Sequence, residues 1–370
     1  MLWQSSIKTT HTWIGLIFGA FLCVTCLSGS IAVFRPELEA AFSPKVAPSM
    51  TRADLDDVVA RVLASSPGAR LTRVRLPAPE QNAFVLTLES GKKSPRRIVV
   101  DAGTGVVAGE LRLAWLDWMI DLHHNLLAGR AGRRAVGAVG VALFFVSATG
   151  LLLSLLRNPT WKSLITVRRG PLRRRFYYEL HRATGLWTYA FLLTLSFTGI
   201  ALAYPEAFRA VMGQRTAVAA AKSSRKQSLM PLKDYLSISR AALPLAELTE
   251  MRLPKSSGDL LSVRFRMPSD LGEAGRNEAL IASDGGIVGV HRLDGEPLGV
   301  RVQSAFTPIH YGEVGGLAVR LLWAVAGVAP AMLFITGLLF WLRKTPHRNV
   351  EPNQQAHDSR DEFLVTPSRF

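Results

Sequence analysis

Four apolar segments, three of them uncharged, limit what this chain can fold into more than any other feature. They span residues 13–34, 135–156, 183–204 and 317–342, and the single charge among them is Arg320 in the fourth. At a helical rise of ~1.5 Å per residue, each is long enough to cross a ~30 Å hydrocarbon core. The sequence therefore predicts a membrane protein with four transmembrane helices.

Basic residues indicate how these helices are oriented. The formal net charge is +16, and eight Lys and Arg lie between Arg157 and Arg182, against one acid, Glu179. Under the positive-inside rule, this loop, the N-terminus and the C-terminal tail are predicted to be cytoplasmic. Because the basic cluster adjoins two membrane segments, it favours membrane topology over nucleic-acid binding, and no nucleic-acid partner is predicted.

The chain divides into helices, two outer domains and connecting segments. The predicted parts are a first transmembrane helix (1–36), a periplasmic α+β domain (37–110), an interfacial helix with the second transmembrane helix (111–158), a basic cytoplasmic loop (159–182), a third transmembrane helix (183–205), a second periplasmic α+β domain (206–305), an interfacial segment with the fourth transmembrane helix (306–344) and a cytoplasmic tail (345–370).

Each outer domain is predicted to contain one amphipathic helix and several strands. The first helix covers residues 51–63 with Thr51 as its N-cap, and the second covers 230–242. Gly129 and Gly132 are expected to end the interfacial helix that precedes the second membrane segment. Runs rich in apolar and β-branched residues predict strands at 70–76, 83–88, 97–100, 251–253, 260–266, 279–282 and 287–290.

The second half of the chain repeats the first. The aligned residues are His11 with His181 and Gly29 with Gly199 at a shift of 170, and His123 with His310, Arg133 with Arg320 and Thr149-Gly150 with Thr336-Gly337 at a shift of 187. Each half has the order helix, outer domain, interfacial histidine, helix. This duplication predicts two parallel-topology repeats related by an axis along the membrane normal.

Four of the eight histidines occupy repeat-equivalent positions. Ionisable groups at membrane depth usually serve a function, although a lone histidine at a helix start is more often a cap or an interface residue. Two facing imidazoles can supply both axial ligands of a b-type haem. The repeat predicts one such pair, His11 with His181, on the cytoplasmic side and another, His123 with His310, near the periplasmic side.

The haem hypothesis also predicts the roles of two arginines and of the other histidines. Arg133 and Arg320 are predicted to pair with haem propionates, because guanidinium groups bind carboxylates well. The sequence has no Cys-x-x-Cys-His motif, which excludes covalent attachment. His124 would point ~100° away from His123 on a helix, so the two cannot bind one iron. Three histidines without repeat equivalents are predicted to be surface residues: His291, His347 and His357.

These patterns resemble a known family. His-x3-Gly-Leu begins at His11, Leu-His-x2-Leu-Leu covers 122–127, Thr-Gly-Leu covers 149–151 and Pro-x-His-Tyr-Gly covers 308–312. Together they are similar to the PepSY-associated transmembrane proteins, also called iron-regulated membrane proteins. The two outer domains resemble PepSY domains, each ending in an Asp-x-x-Thr-Gly-like turn, although the turn at Asp284 departs from that pattern.

Within the family, the chain resembles the bacterial inner-membrane ferrisiderophore reductases, such as ferrioxamine reductase. The resemblance implies a haem-dependent ferric-chelate reductase with two bis-histidine haem b groups and a ferric siderophore as substrate. Some relatives carry a fused flavin reductase domain, and this chain ends soon after the fourth segment, so a separate electron donor is expected. The alternatives are a non-enzymatic module that regulates a peptidase or sensor, and an iron-uptake transporter component.

Overall fold

The computed structural model describes residues 2–49, 51–78, 81–91, 95–156, 160, 166–167, 173–212, 229–256, 258–272 and 275–343. The predicted basic loop at 159–182 is therefore described only in part. The predicted tail at 345–370, including His347 and His357, lies outside the described residues.

Helices and strands alternate in blocks along the described chain. The helices are α1 (Leu2–Ala32), α2 (Arg35–Phe42), α3 (Leu55–Ala64), α4 (Ala114–Asn125), α5 (Gly129–Leu155), α6 (Arg173–Ala203), α7 (Pro205–Val211), α8 (Leu232–Ala242), α9 (Leu298–His310) and α10 (Gly316–Leu342). The strands are β1 (Arg70–Arg75), β2 (Ala83–Glu89), β3 (Arg96–Asp101), β4 (Val107–Glu110), β5 (Glu247–Arg252), β6 (Leu261–Arg266), β7 (Asn277–Ile281) and β8 (Ile287–His291).

Four helices of the described chain, α1, α5, α6 and α10, are long and apolar enough to cross a membrane. The prediction of four helices that could span a membrane is confirmed, but three of them start several residues earlier than predicted. α1 begins at Leu2 rather than at residue 13, α5 at Gly129 rather than at 135, and α6 at Arg173 rather than at 183. Polar turns can continue a helix beyond the hydrocarbon core, because its backbone hydrogen bonds are internal to the helix.

The four long helices pack in a ring with α1 and α6 at opposite corners. α1 packs against α5 and α10, and α6 packs against the same two helices. Small residues allow close approach: a Cβ added at Gly327 would lie 3.2 Å from the Cys26 carbonyl oxygen. Across the same interface, the Ser30 hydroxyl donates to the Ala324 carbonyl at 3.1 Å. Side chains of α1 and α6 can therefore meet at the centre of the ring.

The eight described strands form one antiparallel sheet in the order β4-β3-β2-β1-β5-β6-β7-β8. Each predicted outer unit contributes four strands, and β1 pairs with β5 so that Val74 lies opposite Met251. Helices α3 and α8 cover one face of the sheet and share one hydrophobic core, which includes Val58, Tyr235 and Met251. The two units are thus joined through a common sheet and a common core.

The opposite face of the sheet points toward the membrane helices. In the first half this face carries an apolar cluster, in which Val85 and Val99 pack with Leu116 of α4 and Leu38 of α2. Because α4 also packs against α1 and α5, it connects the sheet to the bundle. The end of the bundle nearest the sheet therefore meets this face.

Two details of the first outer unit differ from the prediction. The N-cap of α3 is Asp54 rather than Thr51, since the Asp54 carboxylate accepts hydrogen bonds from the backbone N–H groups of Asp56 and Asp57. Strand β4 was not predicted, because its four residues, Val107–Glu110, include a glycine and are largely exposed. Such a segment lacks the alternation that marks a half-buried strand.

The segments before α5 and α10 also differ from the prediction. α4 ends at Asn125 because Leu126 and Leu127 adopt positive φ angles of 48° and 59°. The prediction that Gly132 breaks the interfacial helix was wrong, since Gly132 lies inside α5. α9 was missed because Pro308 interrupts the apolar pattern, yet the proline is accommodated in the last turn of that helix.

Candidate functional site

Two pairs of histidines meet inside the molecule. The ring centroids of His11 on α1 and His181 on α6 lie 6.2 Å apart, with an interplanar angle of 87°. Those of His123 on α4 and His310 on α9 lie 6.1 Å apart, with an interplanar angle of 33°. We call the first the far pair and the second the sheet-side pair. The structure brings together the same residues that the internal repeat pairs, and it also places the His124 ring 5.6 Å from the ring of its chain neighbour His123.

The two pairs lie at opposite ends of the bundle. A Cβ added at Gly29 on α1 would lie 2.7 Å from the His123 ring, and one added at Gly199 on α6 would lie 3.3 Å from the His310 ring. Gly29 follows His11, and Gly199 follows His181, by eighteen residues, or about 27 Å at ~1.5 Å per residue. That separation approaches the ~30 Å thickness of a hydrocarbon core.

Each imidazole of the two pairs is held through its Nδ1 atom by a neighbouring helix. The Thr149 hydroxyl lies 3.0 Å from Nδ1 of His11. The Thr336 hydroxyl lies 3.2 Å from Nδ1 of His181, and the Thr198 hydroxyl lies 2.8 Å from Nδ1 of His310. Two backbone carbonyls are also hydrogen-bond partners of these rings. The Leu333 carbonyl oxygen lies 2.9 Å from Nδ1 of His181, and the Thr25 carbonyl oxygen lies 2.7 Å from Nδ1 of His123.

The partners of the threonine hydroxyls decide which nitrogen of each ring carries the proton. Thr149, Thr198 and Thr336 each donate their hydroxyl hydrogen to the carbonyl four residues earlier, at 2.6, 2.7 and 2.7 Å. A hydroxyl has one hydrogen, so it must accept from the imidazole. The carbonyl facing His123 can only accept. All four rings are therefore Nδ1–H tautomers whose Nε2 lone pair is free to bind a metal.

Four glycines make room for the four rings. An added Cβ would lie 2.7 Å from the nearest imidazole atom at Gly29, 3.2 Å at Gly150, and 3.3 Å at both Gly199 and Gly337. Contacts this short would displace the ring or the helix. Each glycine directly follows a serine or threonine, and in three cases that threonine is the hydroxyl acceptor. At each ring, a glycine that follows a serine or threonine thus leaves the space that the imidazole occupies.

A cavity of about 1450 Å³ separates the sheet-side pair from the sheet. His123, His124 and His310 line it at the bundle end, and Arg75 and Arg264 line it on the strands. Small-molecule sites usually occupy ~300–1,000 Å³. The cavity therefore has room for more than one ordinary ligand beside the histidines.

Burial keeps the sheet-side imidazoles neutral. It lowers the pKa of His123 and, together with the charges of His123 and His124, lowers the pKa of His310 to about 3. Burial and then the neighbouring charges, including those of Arg133 and Arg35, lower the pKa of His124 to about 4. Neutral rings at pH 7 are the form that a metal ion binds.

The two arginines expected to bind propionates lie in different surroundings. Arg133 lines the cavity, and its Nη2 atom donates to the Leu202 carbonyl at 2.6 Å. Arg320 is buried, and its Nε atom lies 2.7 Å from a carboxylate oxygen of Glu37. Arg320 thus connects α10 to α2, whereas Arg133 faces the space beside the sheet-side pair.

His291, the remaining described histidine, belongs to neither pair. His291 pairs with Glu296 at 3.0 Å on the edge strand β8, as expected for a surface residue. Among the described residues, no group of three or more His, Cys, Asp or Glu side chains is arranged to hold a metal ion.

The sequence pattern of PepSY-associated TM regions matches residues 9–344 of this chain. The chain belongs to that family. One similar relative is an uncharacterized protein of Pseudomonas aeruginosa, which is 25% identical over 263 residues. These residues cover 62% of this chain and 64% of the relative, so the match spans less than two thirds of the relative's length.

In this PepSY-associated chain, the threonine partners were not predicted as functional residues. The sequence identifies Thr149-Gly150 and Thr336-Gly337 only as equivalent positions of the internal repeat. The missing signal was the recurrence of the same dipeptide type on all four membrane helices: Ser28-Gly29, Thr149-Gly150, Thr198-Gly199 and Thr336-Gly337. Its role depends on which histidine faces it, and that pairing is a property of the packed bundle.

Proposed function

We propose that this protein is a di-haem b electron conduit of the bacterial inner membrane that reduces a ferric siderophore on its periplasmic side. One haem would be held between His11 and His181, and the other between His123 and His310. Electrons would come from a separate donor in the cytoplasm or the membrane. Reduction would release iron, because the hard oxygen ligands of siderophores bind Fe(II) less tightly than Fe(III).

The observation that carries this proposal is the shared geometry of the four imidazoles. An imidazole nitrogen lies ~2 Å from a bound first-row metal, so two rings on either side of one ion have centroids about 6 Å apart. The observed centroid separations are 6.2 and 6.1 Å. All four Nε2 lone pairs are free, and a glycine leaves space for each ring.

The protein's own residues would orient and tune the bound groups. Haem iron supplies one-electron chemistry by alternating between its ferric and ferrous states. The acceptors of the Nδ1–H groups fix the imidazole tautomer and strengthen Nε2 as a ligand. Arg133, on the cavity wall, offers a cation to a propionate carboxylate. The cavity beside His123 and His310 offers space for the ferric chelate.

The distribution of charge supports the proposed orientation. Arg174, Arg175 and Arg182 lie at the start of α6, beside the far pair. The sheet lies at the opposite end of the bundle, beside the sheet-side pair. Under the positive-inside rule, the far pair would face the cytoplasm and the sheet would lie in the periplasm.

The visible spectrum of the detergent-purified protein tests the function. After expression with an adequate haem supply, we expect a Soret band and two haems per chain, because each histidine pair offers a complete axial ligand set. Anaerobic addition of a ferric siderophore should reoxidise the reduced protein. A colourless protein would contradict the proposal and favour a module that regulates a peptidase or sensor. A reduced spectrum that persists with every chelate would remove the reductase assignment.

Replacing Thr198 by valine should raise the reduction potential of the sheet-side haem by tens of millivolts without changing haem content. The His310 Nδ1–H group loses its acceptor, so the imidazole donates less electron density to ferric iron. A net hydrogen bond contributes ~0.5–1.5 kcal/mol, and ~1.4 kcal/mol corresponds to about 59 mV for one electron. Potentiometric titration of the two haems measures the effect.

Thr194→Val is the matched control for this substitution. Thr194 lies one turn earlier on α6, and its hydroxyl donates to the Ala190 carbonyl at 2.9 Å without contacting a histidine. The control should leave both potentials unchanged. Equal shifts in the two variants, or no shift for Thr198→Val, would show that the Thr198 hydroxyl does not position His310.

A further inference from the structure

The face of the sheet that points toward the membrane helices carries an apolar cluster in its first half and arginine side chains from both halves. In the first half, Val85 and Val99 pack in a hydrophobic cluster with α4. In the second half, β6 buries Val263 and Phe265 in the shared core. Because side chains alternate along a strand, Arg264 lies on the opposite face, where it lines the cavity.

One carboxylate of the cavity wall is already shared by two arginines. Glu39 lies 2.8 Å from Arg35 and 2.9 Å from Arg75, and all three residues line the cavity. Burial by itself would raise the pKa of the Glu39 carboxyl, but the charges of Arg75 and Arg35 outweigh burial and lower it. Glu39 is therefore ionised at neutral pH and leaves one of the two positive charges uncompensated.

A second shared carboxylate lies on β5, beside Arg264. Glu250 lies 3.5 Å from Arg73 and 2.5 Å from Arg252. In the part of the chain that the structure describes, no carboxylate oxygen lies within 4.0 Å of the Arg264 guanidinium. Burial and the nearby charge of Arg252 lower the pKa of Arg264, and they outweigh the charges of Glu250 and Glu278, which lie opposite Arg264 on the two neighbouring strands and act in the other direction. An anion in the cavity would relieve this crowding of positive charge.

The excess of positive charge extends over the whole cavity. Among the described residues, seven lysine and arginine side chains line it, against four glutamates. Cavities lined by one sign of charge concentrate ligands of the opposite sign. Arginine is also suited to carboxylate oxygens, since its planar guanidinium donates two parallel hydrogen bonds.

We propose that Arg264, with Arg75, forms an anion-recognising subsite that selects ferric chelates of net negative charge. Such chelates present carboxylate or catecholate oxygens, which the guanidinium groups can bind. A chelate carrying a free ammonium group would meet repulsion at the same wall. This proposal rests on the proposed function for the identity of its ligand, but its test measures binding and requires no electron transfer.

Equilibrium dialysis of radio-iron-labelled ferric citrate against the oxidised, detergent-purified holoprotein tests the subsite. Arg264→Gln should weaken binding roughly tenfold to hundredfold, since a hydrogen bond to a charged group contributes ~1.5–3 kcal/mol. Arg264→Lys keeps the charge and should weaken binding less. A cationic ferric trihydroxamate should bind the native protein more weakly than ferric citrate does, and Arg264→Gln should not weaken that binding further.

Arg240→Gln is the matched control, because Arg240 is exposed on α8, which packs on the other face of the sheet. Its affinity for ferric citrate should equal that of the native protein. Three results would overturn the subsite: equal affinity of Arg264→Gln and Arg240→Gln, equally tight binding of iron-free citrate, or loss of haem from Arg264→Gln. Loss of haem from Arg264→Gln would mean that Arg264 binds a haem propionate. Unchanged melting temperatures exclude misfolding as a cause of weak binding, and Arg264→Lys provides the same comparison if the glutamine variant is unstable.

Discussion

Alanine at His123 or at His310 should each remove the same haem and leave the other in place. The two rings face each other at 6.1 Å, so either substitution deprives the sheet-side iron of one axial ligand. Alanine at His11 or at His181 should remove the other haem for the same reason. Haem content per chain should fall from two to about one in each single variant. It should fall to near zero when one histidine of each pair is replaced.

Two other histidines serve as controls for this experiment. His124 is adjacent to His123, with ring centroids 5.6 Å apart, and lines the same cavity, but its repeat equivalent is Tyr311 rather than a histidine. His291 pairs with Glu296 on the sheet edge. His124→Ala and His291→Ala should keep both haems. Loss of haem in any other combination, such as His11 with His123, would refute the pairing. The measurement is the haem-to-protein ratio, with the reduced-minus-oxidised spectrum identifying the haem that remains.

A single methyl group at residue 29 should weaken binding of the sheet-side haem. In Gly29→Ala, the new Cβ would lie 2.7 Å from Cε1 and 2.9 Å from Nδ1 of His123. The ring cannot move away without breaking its 2.7 Å hydrogen bond to the Thr25 carbonyl. Overpacking of this kind costs ~1–3 kcal/mol, which corresponds to a roughly tenfold to hundredfold loss of haem affinity at that site.

Gly15→Ala, on the same helix, separates this effect from helix propensity. A Cβ at Gly15 would meet nothing within 4 Å. Alanine is favoured over glycine in a helix by ~0.5–1 kcal/mol, so this variant should be at least as stable as the native protein and keep both haems. If Gly29→Ala also keeps both haems at native affinity, the space left by the missing side chain of Gly29 is not required for His123 to bind iron.

Much of the fold could be predicted from local sequence signals. The four candidate spans are long apolar runs, three of them uncharged, and the strands of the two outer units are short apolar runs between turn residues. The elements that were missed lack such signals. β4 is short and exposed, and α9 contains Pro308. The junction between the outer units could not be predicted, because the pairing of Val74 with Met251 joins strands that are 177 residues apart.

The candidate site divides in the same way. His11, His123, His181 and His310 could be selected from the sequence because each recurs at a fixed shift within a membrane-associated segment. The acceptors of their Nδ1–H groups could not be selected, since serine and threonine are common in these helices. Thr198 acts on His310 from another helix, 112 residues away, and only their contact identifies the pair.

The sequence by itself determined that four helices are long and apolar enough to cross a membrane and that two sets of histidines recur, because both follow from composition and spacing along the chain. Only the tertiary structure decided which imidazoles face each other, which nitrogen carries the proton and where the cavity lies. Those properties depend on distances between atoms that packing brings together from different helices. The charge of the cavity wall also depends on the tertiary structure, since Arg264 and Glu39 line one cavity but come from different halves of the chain.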